Sequence, residues 1–496
     1  MKGHLHPVMF AGTGSDVGKS IIATAFCRIF RQDGYNPAPF KAQNMALNSF
    51  ATPDGLEIGR AQAVQAEAAG IPCHTDMNPL LLKPQSDHTS QVVLNGKPIG
   101  NRDAYDYFRK EGRAELREAV YAAYDRLAAR HNPIVMEGAG SLAEINLRDS
   151  DLVNVPMAMH AGADIILVGD IDRGGVFASV YGSIMLLRPE ERNYVKGILI
   201  NKFRGDLRLF EEGRRMLEEL CGIPVLGVVP YYHDIHIEEE DSVALAAKSA
   251  AAQRGKVNVA VVLLRHISNF TDFNVLEQDP RVHLFYSNNV DELAKADILI
   301  LPGSKSTLDD LYEIRRNGVA QAILRARREG ATVLGICGGY QMMGQQIRDP
   351  HHVEGTLEAM PGLGLLPMVT EMLPEKVTRQ VHFTQADGSG VMEGYEIHMG
   401  ETRATDASAK PLNRLEDGTD DGCIVDAKCM GSYIHGLLDN PAFIDRLLAP
   451  HTDKLAEAAA PFDYHAFKEQ QYDRLADHVR TYVDVPRLYD ILQGKR

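Results

Sequence analysis

The chain has 496 residues and a formal net charge of −15, with 45% hydrophobic and 24% charged residues. The length predicts roughly three domains, or two large ones, and the ordinary composition excludes a disordered or low-complexity chain. The negative charge disfavours non-specific binding to nucleic acid or to an anionic membrane surface.

The six cysteines include no CxxC pair and are too sparse for a disulfide scaffold. The N-terminus lacks a long apolar stretch ending in a cleavage site, and no apolar run is long enough to span a membrane. We therefore expect a reducing, cytoplasmic compartment, with neither a membrane nor nucleic acid as a partner.

The first half alternates short apolar runs with helical patterns, which is typical of a parallel sheet covered on both faces. The predicted strands are Val8–Ala11, Ile134–Met136, Ile165–Val168, Gly197–Ile200 and Val225–Val229. The predicted helices are Lys19–Arg31, Gly59–Ala69, Ala114–Arg130, Phe177–Leu187 and Leu209–Leu220.

A second α/β series follows a polar, small-residue segment, 244–256, which reads as a linker or as a helix leading out of the first domain. Its predicted strands are Val257–Leu264, Val282–Tyr286, Ile298–Leu301 and Thr332–Ile336, with helices around Thr307–Arg315 and Ala320–Arg328. We predict a first domain over 1–245, a linker over 246–256 and a second domain over 257–450. A helical C-terminal extension over 451–496 includes the amphipathic stretch Tyr464–His478.

A phosphate-binding loop is predicted where the first strand meets the first helix. The loop residues are Gly12, Thr13, Gly14, Ser15, Asp16, Val17, Gly18, Lys19 and Ser20. Glycines allow backbone N–H groups to face phosphate oxygens at a helix N-terminus. Lys19 would reach the terminal phosphates of ATP, and Ser20 would hold Mg²⁺. The loop is a variant, because a strict Walker A motif has Gly at the position of Thr13.

Polar residues also follow three later strands of the first half, where ligands bind in open parallel sheets. Glu137, in Glu137-Gly138-Ala139-Gly140, is a candidate Mg²⁺ ligand, with a helix cap or loop acid as the alternative. Asp170 and Asp172 could likewise be Mg²⁺ ligands or acids that cap a helix or lie in a loop. Asn201 ends another strand and is a candidate for contacting the nucleotide base.

A cysteine occupies the turn between a strand and a helix in the second half. Gly335-Ile336-Cys337-Gly338-Gly339 has the pattern of a nucleophile elbow with Cys in place of Ser, and a buried structural thiol is the alternative. The N–H of Gly338 could stabilise an oxyanion, with a second donor from the Pro302-Gly303-Ser304 turn, so Gly303 and Gly338 form the predicted oxyanion hole. A cysteine nucleophile needs a base, for which His435 is the candidate and His398 the rival.

These motifs together are specific enough to resemble known families. The cysteine elbow, Pro302-Gly303-Ser304 and His435 resemble a class I glutamine amidotransferase domain, and the first half is similar to the dethiobiotin synthetase branch of P-loop proteins. In this order, the two halves resemble the cobyrinic/cobyric acid amidase family of cobalamin synthesis, to about residue 450. The segments Lys41–Ser49, Gly59–Ala63 and Gly394–Gly400 are similar to the cobyric acid branch of that family.

The resemblance implies ATP- and glutamine-dependent amidation of the b, d, e and g carboxylates of adenosylcobyrinic acid a,c-diamide, a corrinoid, to give adenosylcobyric acid. It also implies that Cys337 is the nucleophile and His435 the triad histidine. Many class I amidotransferases have Glu two residues after that histidine, where this chain has Leu437, so the orienting carboxylate must come from elsewhere. We hypothesise that Glu396 supplies this orienting carboxylate.

Three other readings stay open at this point. The chain could amidate the a and c carboxylates instead, as another member of the same family, although the Lys41–Ser49 segment argues against this. It could be a non-catalytic P-loop ATPase with a degenerate amidotransferase module, which the intact Cys337 and His435 disfavour. A ligase similar to CTP synthase is the third reading.

Lys41, Arg60, Arg173 and Arg204 could offset the charge of a polyanionic substrate, or could be ordinary surface charges.

Overall fold

The computed structural model describes residues 3–84, 89–103, 113–238, 245, 248–253, 256–386, 388, 390–454 and 462–495. The chain forms two compact units, neither of which is continuous in sequence. The first comprises Met1–Ala46, Ile58–Glu238 and Ala466–Arg496, and the second comprises Leu47–Glu57 and Glu239–His465. The predicted linker over 246–256 falls partly outside the described residues.

A six-stranded parallel sheet forms the centre of the first unit. Its strands lie in the order Val225–Pro230, Val195–Phe203, Asp164–Asp170, Val8–Gly12, Ile134–Glu137 and Ala38–Phe40. Their apolar residues are almost completely buried, as expected for strands covered by helices on both faces. The five predicted strands are confirmed. Ala38–Phe40 was missed because three residues, one of them proline, carry no periodic signal.

Helices cover this sheet. They are Lys19–Gln32, Arg60–Ala69, Arg113–Ala128, Val155–Ala161, Val176–Met185, Pro189–Arg192, Glu211–Cys221, Tyr464–Tyr482 and Val485–Leu492, with 3₁₀ turns at Thr75–Met77, Arg148–Ser150 and Leu207–Phe210. The last two α-helices contribute to the core of the first unit, since Leu475 and Val479 are buried in one cluster with Phe26 and Phe30. The C-terminal residues from Ala466 onward thus complete the first unit.

A smaller mixed sheet lies in the first unit. Its strands are Gln43–Met45, Leu80–Pro84, Thr89–Leu94 and Lys97–Asp103, of which the first pair is parallel and the others are antiparallel. Strand Gln43–Met45 begins two residues after Lys41, and strand Ala38–Phe40 of the central sheet ends just before it, so the two sheets together fix the chain on both sides of that lysine.

A second six-stranded sheet forms the centre of the second unit. Its strands lie in the order Val282–Ser287, Val257–Val262, Ile298–Leu301, Thr332–Ile336, Cys429–Ser432 and Cys423–Asp426, and only the last pair is antiparallel. Its helices are Asn274–Gln278, Val290–Leu293, Thr307–Arg316, Val319–Arg328, Gly338–Met343 and Pro441–Leu448, with 3₁₀ turns at Phe270–Phe273, Leu437–Asp439 and Ala449–Lys454. The α/β character predicted for this half is confirmed.

A further sheet of the second unit was not predicted; its pairs are antiparallel except that Gln346–Arg348 runs parallel to Met368–Gln385. It is built on two long strands, Met368–Gln385 and Met392–Ala404. Shorter strands pair with them or extend the sheet: Gln346–Arg348, Ala359–Pro361, Asn413–Leu415, Asp420–Asp421 and Ile434–His435. Two short strands, Ile267–Ser268 and Gly303–Ser304, pair separately beside the elbow. Among the described residues, no helix is long and apolar enough to cross a membrane.

Candidate active sites

The predicted phosphate-binding loop connects strand Val8–Gly12 to helix Lys19–Gln32. Gly18 has φ 96°, and a Cβ built there would lie 2.2 Å from Nδ2 of Asn201. The same amide donates a hydrogen bond to the carbonyl oxygen of Val17 at 2.9 Å. The structure therefore brings Asn201 against the loop, and the close approach requires glycine at residue 18.

Lys19 lies inside the loop. Its ammonium donates hydrogen bonds to the carbonyl oxygens of Gly14 at 2.8 Å and Gly140 at 3.0 Å. A Cβ at Gly12 would lie 2.8 Å from the carbonyl oxygen of Gly14 and 2.9 Å from Nζ, so a side chain there would collide with the loop backbone. Burial lowers the pKa of Lys19 to about 8, although Glu137 partly offsets this. A cation held among loop carbonyls and backbone N–H groups suits the phosphates of a nucleotide.

Glu137 ends strand Ile134–Glu137 and is buried. Its Oε1 accepts hydrogen bonds from Ser20 Oγ and Lys41 Nζ, both at 2.8 Å, and its Oε2 accepts one from Gln65 Nε2 at 2.7 Å. Burial opposes ionisation, but the charge of Lys41 and these hydrogen bonds outweigh it and hold the pKa of Glu137 below its usual range. Lys41 and Gln65 were not predicted as its partners.

The residues predicted to hold Mg²⁺, Ser20 and Glu137, are adjacent and supply oxygen atoms, which this hard cation prefers. In the part of the chain that the structure describes, no group of three or more His, Cys, Asp or Glu side chains could hold a metal. Two protein oxygens are nevertheless compatible with Mg²⁺ at a nucleotide site, where phosphates and water supply the remaining ligands. The donor set therefore fits the ion.

The other charged candidates of the first unit are engaged in ion pairs. Asp170 accepts a hydrogen bond from the N–H of Asp172 and lies 3.1 Å from Lys202 Nζ. The four basic residues considered for a polyanionic substrate each face a carboxylate: Lys41 with Glu137, Arg60 with Glu238, Arg173 with Asp16 and Arg204 with Asp172. Of the four, Lys41 and Arg60 are buried, so the surface-charge reading is wrong for those two.

Cys337 lies at the turn between strand Thr332–Ile336 and helix Gly338–Met343. Its φ and ψ are 51° and −111°, a conformation that a non-glycine residue adopts only under strain. A Cβ at Gly339 would approach the carbonyl oxygen of Leu301 to 1.9 Å, and one at Gly335 would meet Tyr340 N at 2.7 Å. The glycines on either side of the cysteine are thus required by close packing around a strained elbow.

His435 faces Cys337 and is buried. Its Nδ1 lies 2.7 Å from Oδ2 of Asp272, whose other oxygen accepts a hydrogen bond from the N–H of Gly436 at 3.1 Å. Burial opposes protonation of the ring, yet Asp272 and Cys337 raise the pKa of His435 to about 10. Cysteine, histidine and aspartate therefore form a connected nucleophile–base–orienter arrangement.

The orienting carboxylate is Asp272, and the hypothesis that Glu396 fills this role is wrong. Glu396 instead forms an ion pair with Arg379. Asp272 lies in the 3₁₀ turn Phe270–Phe273, after the first strand of the second unit. It precedes His435 by 163 positions, so no short motif connects the two. It also lies ten residues beyond the end of strand Val257–Val262, so its position relative to that strand does not single it out in the sequence.

His398, the rival base, occupies a different setting. Its Nδ1 lies 2.8 Å from the carbonyl oxygen of Gly400, and its ring stacks on Tyr433 with centroids 3.8 Å apart. Burial lowers the pKa of His398 to about 4. A ring held neutral by burial and engaged with the backbone is the weaker candidate for the general base.

The two predicted oxyanion-hole glycines lie close to the triad. A Cβ at Gly303 would lie 3.5 Å from Cε1 of His435, and one at Gly338 would lie 2.8 Å from the backbone nitrogen of Ser304. Gly338 opens the helix Gly338–Met343, where N–H groups have no intrahelical partner. Both glycines therefore bring backbone close to the place where a bound carboxamide would meet Cys337.

Comparison with known proteins identifies the two halves. Residues 8–243 match the CobQ/CobB/MinD/ParA nucleotide binding domain, and residues 258–443 match the CobB/CobQ-like glutamine amidotransferase domain. Fold and site thus define a glutamine amidotransferase joined in one chain to a nucleotide-binding domain.

Relatives match over the whole length. The cobyric acid synthase of Bacteroides fragilis is 75% identical over 493 residues, 99% of each chain, and that of Phocaeicola vulgatus is 70% identical over 495 residues, 100% of each chain. A more distant one, from Klebsiella pneumoniae, is 49% identical over 98% of each chain. The chain belongs to the cobyric acid synthase family, and the resemblance seen in the sequence is confirmed.

Proposed function

We propose that this protein amidates the b, d, e and g carboxylates of adenosylcobyrinic acid a,c-diamide, with ATP and glutamine as co-substrates, to give adenosylcobyric acid. The observation that carries the proposal is the pairing, in one member of this family, of an intact Cys337–His435–Asp272 arrangement with a nucleotide loop backed by Glu137. The chain is an amidoligase of cobalamin biosynthesis, with a glutamine-hydrolysing and an ATP-binding domain.

Ammonia is released in the second unit. The Cys337 thiolate attacks the side-chain carboxamide carbon of glutamine, and His435 holds the thiol proton. When the tetrahedral intermediate collapses, the carbon–nitrogen bond breaks and His435 gives that proton to the leaving ammonia. Water then hydrolyses the glutamyl thioester to glutamate and regenerates the thiol. Asp272 orients the ring and stabilises the imidazolium throughout.

The strained elbow and the two glycines support the same step. Negative charge develops on the carboxamide oxygen as the carbon–sulfur bond forms, and backbone N–H groups of Gly303 and Gly338 would stabilise it. Such donors contribute about 3–4 kcal/mol of transition-state stabilisation each in related acyl-transfer sites. Because they are fixed in the backbone, they need no reorganisation during the reaction.

Activation of the corrinoid carboxylate takes place in the first unit. A carboxylate oxygen attacks the γ-phosphorus of ATP, ADP leaves, and ammonia then displaces phosphate from the acyl phosphate to give the amide. Lys19 would bind the terminal phosphates, and Gly12, Gly14 and Gly18 would present the loop backbone to them. Asn201 would contact the nucleotide. Mg²⁺, held by Ser20 and Glu137, would neutralise charge on the β- and γ-phosphates.

The compartment we propose is the reducing cytoplasm. All six cysteines are free, including Cys337, whose chemistry requires an unoxidised thiol. The partners are glutamine, ATP and the corrinoid. Amidation of the a and c carboxylates instead would appear as turnover of cobyrinic acid, so assaying both corrinoids separates these two reactions.

The proposal is tested by supplying nitrogen from two sources. Cys337→Ala should abolish amidation with glutamine and leave amidation with ammonium salts within about twofold of the unaltered chain, because only the thioester step is lost. Lys19→Ala should reduce amidation with both nitrogen sources by about 10²-fold or more. If Cys337→Ala also stops ammonia-dependent turnover in a folded protein, the division of labour between the two sites is wrong.

A further inference from the structure

One turn of the second unit contacts both nitrogen atoms of the triad histidine. The 3₁₀ turn Phe270–Phe273 carries Asp272, which accepts a hydrogen bond from Nδ1–H of His435. Asn269 directly precedes this turn, and its carbonyl oxygen accepts a hydrogen bond from the N–H of Asp272 at 3.1 Å. The Asn269 side chain approaches the other ring nitrogen, with 3.3 Å between Nδ2 and Nε2. Asp272 and Asn269 therefore lie at opposite polar edges of one imidazole ring.

The orientation of the Asn269 amide is fixed by its neighbours. The N–H of Ser49, a residue of the second unit, donates to Oδ1 of Asn269 at 2.9 Å, so the NH₂ group faces His435. Asn269 is only 4% exposed and has φ 52°, in the left-handed region that asparagine adopts more readily than most residues. Among the described residues, no oxygen atom accepts a hydrogen bond from this NH₂ group. A buried amide donor is thus aimed at the reactive nitrogen of the histidine.

The imidazole ring of the resting site does not supply an acceptor for this donor. The pKa of His435 is raised to about 10, so the ring is protonated near neutral pH and Nε2 carries a hydrogen. Two N–H donors whose nitrogens are 3.3 Å apart cannot bond to each other, but they can share one acceptor atom. Asn269 and His435 therefore form a pair of donors that face a single position.

That position lies beside the predicted oxyanion hole. Ser268, the residue before Asn269, pairs with Gly303 in a short antiparallel ladder. A Cβ at Gly303 would lie 3.5 Å from Cε1 of His435, the carbon between the two ring nitrogens. The Gly303 backbone, the histidine ring and the Asn269 amide thus come together where the carbonyl group of a glutamyl thioester on Cys337 would be held.

The oxygen of a water molecule satisfies both groups in either protonation state of the ring. It has two lone pairs, so it can accept from Asn269 and from a protonated Nε2 together. When the ring is neutral, the water still accepts from Asn269 and donates a hydrogen to Nε2. The neutral ring arises once His435 has given its proton to ammonia, because Cys337, then a thioester, no longer contributes to the raised pKa.

We propose that Asn269 positions the water that hydrolyses the glutamyl thioester, by holding its oxygen against Nε2 of His435 and in front of the thioester carbon. The water oxygen bonds to that carbon, one water proton passes to Nε2, and the carbon–sulfur bond breaks as His435 returns the proton to the sulfur of Cys337. Thioester formation uses no water, so it does not need Asn269. This inference rests on the proposed function, since it requires glutamine hydrolysis through a thioester on Cys337.

The test measures glutamate release by the full chain with ATP, Mg²⁺ and adenosylcobyrinic acid a,c-diamide present. Asn269→Gly removes the side chain and tolerates the left-handed backbone, and Asn269→Ala is a second truncation with the opposite backbone preference. Asn95→Gly is the matched control, because Asn95 is also left-handed, with φ 46°, and belongs to the first unit. Ammonia-dependent amidation within about twofold of the unaltered chain shows that each variant is folded.

We expect the kcat of glutamate release to fall by about 10²-fold in both Asn269 variants, because a misplaced water attacks slowly. The ratio kcat/KM should stay within about threefold, since thioester formation is unaltered, so the KM for glutamine falls together with kcat. Acid quenching during turnover, followed by mass spectrometry of the intact protein, should show most of the chain as the glutamyl thioester of Cys337. Hydroxylamine, a stronger nucleophile than water, should restore turnover in both variants with γ-glutamyl hydroxamate as the product. Asn95→Gly should match the unaltered chain in every measurement.

Two results would overturn the inference. Equal falls in kcat and kcat/KM, with no accumulated thioester, would show that Asn269 acts before the thioester forms, as a residue that merely orients the ring would. An unaltered kcat in both variants would show that Asn269 takes no part in hydrolysis. Failure of the unaltered chain to release glutamate from glutamine would instead refute the proposed function.

Discussion

Replacing Asp272 by asparagine tests the triad most informatively, because the sequence offers Glu396 only as a hypothesis for the orienting carboxylate. Asp272 accepts a hydrogen bond from Nδ1–H of His435, with 2.7 Å between Nδ1 and Oδ2, in a buried setting. An asparagine there keeps the size and can still accept from the N–H of Gly436. Its NH₂ group, however, would face Nδ1 and favour the wrong imidazole tautomer.

The size of the effect follows from the pKa of His435, which is raised from 6.5 to about 10. Each pKa unit corresponds to about 1.4 kcal/mol, so the interactions that favour the imidazolium outweigh burial by about 5 kcal/mol. Asp272 is the largest of the contributions that raise this pKa, ahead of Cys337. We therefore expect Asp272→Asn to reduce the kcat of glutaminase by about 10³-fold, equivalent to about 4 kcal/mol.

The assay is glutamate release in the presence of ATP and corrinoid, with ammonia-dependent amidation as the check on folding. Asp272→Asn should leave ammonia-dependent amidation unchanged. Glu396→Gln is the matched control and should retain glutaminase within about fivefold, because its partner is Arg379 rather than the histidine. A rate for Asp272→Asn within threefold of the unaltered chain, or a larger loss in Glu396→Gln, would refute the assignment.

Three further predictions concern the synthetase site and stability. Glu137→Asp, which shortens the carboxylate that meets Ser20, should reduce amidation with both nitrogen sources by about 10²-fold and raise the Mg²⁺ concentration required; unaltered Mg²⁺ dependence would contradict the assignment. Burial raises the pKa of Glu354 from 4.5 to about 7, so the folded state keeps a proton that the unfolded state releases, and this group costs stability as pH rises from 4.5 to 7. Glu354→Gln should therefore be more stable than the unaltered chain at pH 8 by about 3 kcal/mol but not at pH 4.5, measured by urea unfolding, and an equal difference at both pH values would exclude this origin. Leu475→Ala should destabilise the first unit by about 2–5 kcal/mol, because Leu475 is buried with Phe26 and Phe30, whereas the exposed Gln470→Ala should have no measurable effect.

Local patterns were sufficient for much of the fold. Continuous apolar runs such as Val8–Gly12 and Thr332–Ile336 predict buried parallel strands directly, since both faces are covered. The antiparallel pair Met368–Gln385 and Met392–Ala404 was missed. Those strands are half exposed and carry charged residues throughout, so their apolar positions give only a weak period-two signal.

The candidate sites also contain parts that the sequence predicts and parts that it does not. The phosphate-binding loop and the cysteine elbow are each one continuous segment, built around a local turn that only particular glycines permit, and both could be recognised. Asp272 and the partners of Glu137 are side chains brought together from distant segments, and such meetings depend on tertiary packing. The segment Leu47–Glu57 is the extreme case, since no composition change at either end marks its membership of the second unit.

The measurement that tests the central claim most directly is mass spectrometry of the corrinoid after incubation of the full chain with ATP, Mg²⁺, glutamine and adenosylcobyrinic acid a,c-diamide. We expect four successive losses of one mass unit, each a carboxyl hydroxyl replaced by an amino group, and no loss when Cys337→Ala is given glutamine as its sole nitrogen source. A corrinoid that keeps its mass while glutamate accumulates would contradict fourfold amidation by this protein.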